Sequence, residues 1–386
     1  MAFNGFRVAD SDMHVIEPPD LWQRYIDPAF KMVAPVGMTQ WRRDMRVMVK
    51  SSVISRVGPR KGARGTILGW KKEQDESYAL GEQRNWDPES QAEAMDREGV
   101  DVSVLFPSRG LFVLGLDSKD VMGIDGLEPE LAAAIARAYN SWLSDFCGHD
   151  PSRFYGAGMV APHDVESAVA EARRCVTELG FKAVFLVPGC VNRRPWHDPY
   201  YDPLWAECQR LDVTVAFHGG GRNFLKPDFA LEVFEPLMMY HTFTHPLGLM
   251  TALVSFTGGG VLDRFPKLRV AFLEGNCSWA PWLMHRLDEH YEWTGGVEVA
   301  ELSKKPSEYL KTNCYFSVEA DEEPAKYFID RFGDDNLVFS TDYPHGDSKF
   351  PYSLKGFAAL PISESSKRKI LWDNCVRLYK LEDGGG

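Results

Sequence analysis

The chain has 386 residues, 44% hydrophobic and 25% charged, which excludes a disordered chain, a collagen-like chain and a coiled coil. Its 43 basic and 55 acidic side chains leave a net charge of −12, which argues against a general nucleic-acid binder. The longest apolar runs stop short of the ~18 residues a membrane-spanning helix needs. The start, MAFNGFRVADSD, lacks a basic-then-apolar leader pattern. The cysteines at 147, 175, 190, 208, 277, 314 and 375 are odd in number, scattered and without a CxxC pair. Together these features predict a reduced, cytoplasmic protein with free thiols.

In chain order, short apolar runs predict strands at 6–12, 100–106, 154–160, 182–187, 213–218, 268–274, 313–318 and 336–341. Runs apolar on both faces suit a parallel sheet covered by helices. Amphipathic stretches at 89–98, 130–148, 164–179, 203–211, 246–264, 279–292, 322–332 and 363–378 supply the helices. Eight strands alternating with eight helices predict one α/β domain over 1–386, a (β/α)8 TIM barrel. The surplus length falls at 18–88, 107–129 and 219–245, all loops that follow strands and so build the catalytic rim.

The first insertion is basic. Between Arg42 and Lys72 it carries ten basic residues against one acid, Asp44. It reads either as a solvated loop or as an anion site at the pocket mouth. On the second reading Arg42, Arg43, Arg46, Arg60, Lys61 and Arg64, joined by Arg109 after strand two, bind an anionic substrate such as a CoA thioester. Aromatic loop residues (Trp41, Trp70, Trp86, Phe112, Phe224, Phe229, Phe234) would shape its apolar pocket.

The chemistry-bearing residues stand where apolar runs end. Asp12 and His14 are two apart and share one face of strand one. Glu17, just beyond, is a further ligand or a turn cap before Pro18-Pro19. His218 ends strand five and is followed by three glycines, which let backbone approach a ligand closely. Glu274 follows VAFL and Asp342 follows LVFST, both poor places for an unpaired charge. In MMYHTFTHPLGL, Pro246 suits a first helical turn and puts His245 at its edge as a ligand, with His241 as an acid–base residue or outer partner. His345 in STDYPH is a further acid–base candidate. Five polar groups at the ends of strands one, five, six and eight of one barrel predict a metal. No GxSxG elbow and no GxGxxG or GxxxxGK[ST] loop is present.

The segments DSDMHVIEP, AMDREGVDVSVLFP, VAFHGGG, GGVLDRFPKLRVAFLEGNCSWAPWLMHRLDEH and STDYPH resemble the amidohydrolase-2 family, whose best-known members are related to aminocarboxymuconate semialdehyde decarboxylase. The resemblance spans Val8 to about Tyr379. It implies a distorted TIM barrel, a divalent metal, and His14, His218 and Asp342 among its ligands. Three positions depart from the pattern. Asp12 stands where many members open an HxH pair. Glu274 stands where decarboxylases often present a His. Strand four ends in Leu186-Val187-Pro188, without the lysine of two-metal hydrolases.

Seven potential ligands (Asp12, His14, Glu17, His218, His245, Glu274 and Asp342) exceed the four of one zinc and suit two metals. Their hard, carboxylate-rich character favours iron or manganese. The pattern is similar to a branch that builds non-haem di-iron monooxygenases on TIM barrels and acts largely on CoA-linked substrates. The leading expectation is therefore O2-dependent hydroxylation of an apolar, CoA-linked acyl group at two irons. The alternative is hydrolysis or non-oxidative decarboxylation with one Zn, Mn or Mg, with Glu274, His241 or His345 as acid or base. The family also implies a homodimer. A scaffold that has lost its chemistry is disfavoured, because polar ligand types remain at every strand end considered.

Overall fold

The computed structural model describes residues 5–40, 44–50, 52–54, 72–114, 127–219, 234, 237–294 and 302–381. Strand β1 (Ala9–His14) is followed by three short strands, β2 (Val36–Gly37), β3 (Val47–Val49) and β4 (Ser52–Ile54). Seven more follow: β5 (Val102–Phe106), β6 (Phe154–Met159), β7 (Ala183–Leu186), β8 (Thr214–His218), β9 (Val270–Leu273), β10 (Cys314–Val318) and β11 (Leu337–Phe339). Strands β1 and β5 to β11 form one eight-stranded parallel sheet in the order β1-β5-β6-β7-β8-β9-β10-β11. All eight expected barrel strands are present, mostly shorter at their ends. Strand one is displaced by about three residues, so Asp12 and His14 lie inside it.

The sheet closes between β11 and β1 largely through side chains. Ser11 Oγ donates to Phe339 O at 2.7 Å, and Thr341 Oγ1 and N both donate to the buried Asp10 carboxylate. Just beyond, His14 N donates to Tyr343 O at 2.7 Å. Burial pushes the Asp10 carboxyl well above its usual range, against the pull of Thr341. Val, Ala, Leu and Phe fill the strands on both faces and are buried. This is the signature of a sheet covered by helices.

Helices Pro88–Glu98, Pro129–Cys147, Val165–Thr177, Asp202–Arg210, Leu237–Thr257, Ala280–Thr294 and Ala325–Phe332 lie between barrel strands. Proline or a capping Asp opens several of them: Asp164 accepts from Ser167 N at 2.8 Å, and Pro129 takes a first-turn position. The expected helix 246–264 begins nine residues earlier, at Leu237, so Pro246 is inside it and not at its start. It ends before Gly258–Gly260, and a separate turn, Val261–Arg264, follows. The last expected helix is interrupted by a π-turn at Lys369–Asp373.

The insertion after β1 is not all loop: β2, β3 and β4 form an antiparallel sheet within it. Arg109 ties that sheet to the barrel. Its guanidinium donates to the carbonyls of Glu17, Met38 and Arg46 at 2.9–3.1 Å. Six of the seven cysteines are buried and all seven are free. Among the described residues no helix is long and apolar enough to cross a membrane.

Candidate metal centre

Asp12, His14, His218 and Asp342 meet at the C-terminal end of the barrel. His14 turns Nδ1 to the carbonyl of Pro107 at 2.7 Å, and His218 turns Nδ1 to the carbonyl of Gly219. A neutral imidazole with its proton on Nδ1 presents a bare lone pair at Nε2. The two Nε2 atoms face each other at 2.9 Å. Asp12 Oδ1 lies 3.4 Å from His14 Nε2 and 3.3 Å from His218 Nε2, and Asp342 Oδ1 lies 3.3 Å from His14 Nε2. Both Asp12 oxygens are buried without a hydrogen-bond donor. Electron-rich atoms crowded this closely, with each outer nitrogen held by a carbonyl, are what a divalent cation relieves. The residues present therefore fit a metal bound by Asp12, His14, His218 and Asp342.

Glu274 borders this cluster. Its Oε2 lies 3.3 Å from His218 Nδ1 and 3.4 Å from His245 Nε2, and has no hydrogen-bond partner in the structure. Burial pushes its carboxyl well above the usual range, and Asp342 and Asp12 add to this. Glu274 and Asp342 both adopt left-handed backbone conformations, φ 51° and 55°. Such strain in non-glycine residues gathers where structure over-determines a site.

His245 and His241 lie with ring centroids 4.2 Å apart and planes tilted by 43°, on the helix that Pro246 was expected to start. Burial lowers the His245 pKa well below its ordinary value, and His241 and His218 push the same way. Gly219 makes this packing possible: a Cβ there would meet the His245 ring at 2.5 Å and Glu274 O at 2.6 Å.

His345 stacks on His14 with centroids 3.9 Å apart. Its Nδ1 is 2.8 Å from Asp342 Oδ1 and its Nε2 is 2.9 Å from Ser108 Oγ. Burial, the largest single influence, would lower its pKa, but Asp342, Asp347 and Asp12 together outweigh it and hold it above the ordinary value.

Several expected site residues stand elsewhere. Glu17 is buried, but its oxygens accept from the backbone N–H groups of Ser108, Arg109 and Gly110 at 3.3, 2.8 and 2.8 Å. It is a cap for a neighbouring loop and does not join the metal cluster. Arg46 is spent on Asp44, with N–O distances of 2.9 and 2.8 Å, and on Gln40. Arg109 is spent on the three carbonyls above, so neither arginine faces a substrate phosphate. Arg42, Arg43, Arg60, Lys61 and Arg64, with Trp41, Trp70, Phe224 and Phe229, lie outside the described residues. Trp86 packs near Tyr78 and Tyr343, and Phe234 stacks on Phe243.

Two residues near the site were not anticipated. Glu319 follows β10 and is half-buried. Burial and then Asp342 raise its carboxyl well above the usual range. The signal that marks Glu274, a carboxylate directly after an apolar strand, stands equally at Glu319 after CYFSV. Ser108, in the loop after β5, carries no such signal.

The Amidohydrolase family model Amidohydro_2 matches residues 9–381. Gamma-resorcylate decarboxylase of Rhodococcus jostii (strain RHA1) is 28% identical over 309 residues, covering 77% of this chain and 91% of that one. 2-Amino-3-carboxymuconate-6-semialdehyde decarboxylase of Dictyostelium discoideum is 26% identical over 297 residues, covering 77% of each. The crystal structure of an amidohydrolase from Mycobacterium avium subsp. paratuberculosis K-10 superposes over 100% of both chains with a TM-score of 0.78 at 24% identity. These two sequence relatives are decarboxylases, and this overturns the expectation of O2-dependent hydroxylation of a CoA-linked acyl group. The two irons expected with it lose their support as well, since Glu17, one of the seven ligands, is occupied elsewhere. With the model spanning nearly its whole length and the barrel carrying its donors at the strand ends, the chain belongs to the amidohydrolase family.

Proposed function

We propose that the protein is a metal-dependent, non-oxidative decarboxylase of a small aromatic or unsaturated carboxylic acid. The observation that carries this reading is the juxtaposition of a four-donor cradle with Glu274, whose Oε2 is buried, free of hydrogen-bond donors and 3.3 Å from His218. The relatives' names support the reaction class.

Asp12, His14, His218 and Asp342 would hold one divalent ion, manganese or zinc, matching two imidazoles and two carboxylates. Bound there, it would supply a Lewis acid for the substrate's oxygen atoms. Glu274 delivers a proton to the carbon that bears the carboxylate. The bond to the carboxyl carbon then breaks, its electron pair returns to the unsaturated system, and CO2 leaves. His345, held between Asp342 and Ser108, orients the Asp342 carboxylate while this happens. Phe106 and Phe185 pack around His218 with centroids 5.7 and 6.3 Å from it and keep that side apolar.

The test is turnover of hydroxybenzoic acids of the resorcylate type by manganese-loaded protein in D2O, under nitrogen and under air. The expected result is equal CO2 release in both, with one deuterium at the carbon that lost it. Glu274→Gln should abolish release while retaining the metal. A requirement for oxygen, or full activity in E274Q, overturns the proposal.

A further inference from the structure

Ser108, His345 and Asp342 are connected in the order of a hydrolytic triad: Ser108 Oγ to His345 Nε2 at 2.9 Å, His345 Nδ1 to Asp342 Oδ1 at 2.8 Å. The surroundings rule out a nucleophile. Ser108 is fully buried. The backbone N–H groups of 108, 109 and 110, which could have stabilised an oxyanion, already donate to Glu17. A hydroxyl with no access and no oxyanion hole cannot carry acyl transfer.

We infer that Ser108 is instead a positioning residue for the metal centre. Glu17 fixes the backbone of the 108–110 loop from β1's side of the barrel, and this places Ser108 Oγ against His345 Nε2. A hydroxyl both donates and accepts. It therefore satisfies Nε2 whether His345 is neutral or charged, while Nδ1 stays 2.8 Å from Asp342 Oδ1. His345 also stacks on His14 with the ring planes inclined by 29°, and Ser108 restrains its remaining in-plane rotation. Asp342, whose oxygen lies between His345 and His14, is thereby held at a set distance from His14 Nε2. Outer partners of this kind fix ligand orientation and typically change metal affinity 10–100-fold. The inference rests on the metal assignment in Proposed function but not on the reaction.

The test compares wild type, Ser108→Ala and Ser108→Thr by Mn2+ affinity in chelator competition, with histidine 15N NMR on the whole protein. S108A should bind Mn2+ about tenfold more weakly at unchanged stoichiometry. S108T, which keeps the hydroxyl, should restore most of that affinity. In the wild type, His345 should carry its proton on Nδ1, and in S108A the His345 signals should shift or broaden. Unchanged Mn2+ affinity in a folded S108A, or a bare Nδ1 in wild-type His345, overturns the assignment. The wild-type spectrum decides even if S108A fails to fold. Neither readout uses a substrate, so a wrong reaction class leaves the test intact, whereas failure of wild type to bind Mn2+ at all would overturn the metal assignment itself.

Discussion

His14 and His218 face each other through bare Nε2 atoms 2.9 Å apart, each with Nδ1 committed to a backbone carbonyl. Two lone pairs with no proton to share repel, and the unpartnered Asp12 oxygens beside them deepen the negative potential. A cation bound by these donors would relieve the arrangement.

Chelation should therefore abolish activity, and Mn2+ or Zn2+ should restore it. His218→Ala should lose roughly 100-fold or more in metal affinity, beyond the range typical of outer partners. Elemental analysis of the purified variant, expected to approach zero metal, checks this.

Glu17→Gln separates a loop cap from a ligand. An amide in place of the carboxylate sets an NH2 group against the N–H groups of residues 108–110. Such a mismatch costs about 1–3 kcal/mol. Tm should fall, while metal stoichiometry at saturating Mn2+ stays that of the wild type. Loss of the bound ion with an unchanged Tm would make Glu17 a ligand after all.

Thr341→Val removes the hydroxyl that Asp10 holds at the β11–β1 seam. Asp10 keeps its bonds from Thr341 N and Asp12 N at 3.2 and 3.1 Å but loses one donor in a fully buried site. The expected cost is about 1–3 kcal/mol of stability, read by urea unfolding. Because Asp12 and Asp342 flank the seam, Mn2+ affinity should weaken in parallel.

Glu98 gives stability a pH dependence away from the metal. Its Oε1 accepts from Leu354 N at 2.8 Å, but burial pushes its carboxyl up to about 7. The folded state then binds more protons than the unfolded one between about 4.5 and 7, so this contribution is complete below that window and is lost as pH rises through it. A rise of that size corresponds to roughly 3 kcal/mol. Glu98→Gln should flatten the stability profile across this window; an identical slope in the variant would place the dependence elsewhere.

Much of the barrel is legible from local pattern alone. Runs such as VSVLF, TVAFH and VAFL are apolar on both faces, and a strand buried on both sides is the arrangement that hides them. The same logic exposes Asp12, His14, His218, Glu274 and Asp342. Each interrupts or ends such a run with a group too costly to bury without a partner. Glu319 obeys the rule as well.

Tertiary structure decided the partners. Glu17 and Gly110 are 93 residues apart, and nothing near Glu17 in the chain says that its oxygens will meet backbone N–H groups before a metal. Arg46 and Arg109 look alike as free cations, yet one closes on Asp44 and the other on carbonyls of two loops. Pro246 marks a helix start by local preference, but the helix begins at Leu237 and carries both His241 and His245. Periodicity and cost of burial are properties of a short stretch of chain. Whether a carboxylate ends on a cation or on an N–H is set by loops brought together from distant strands.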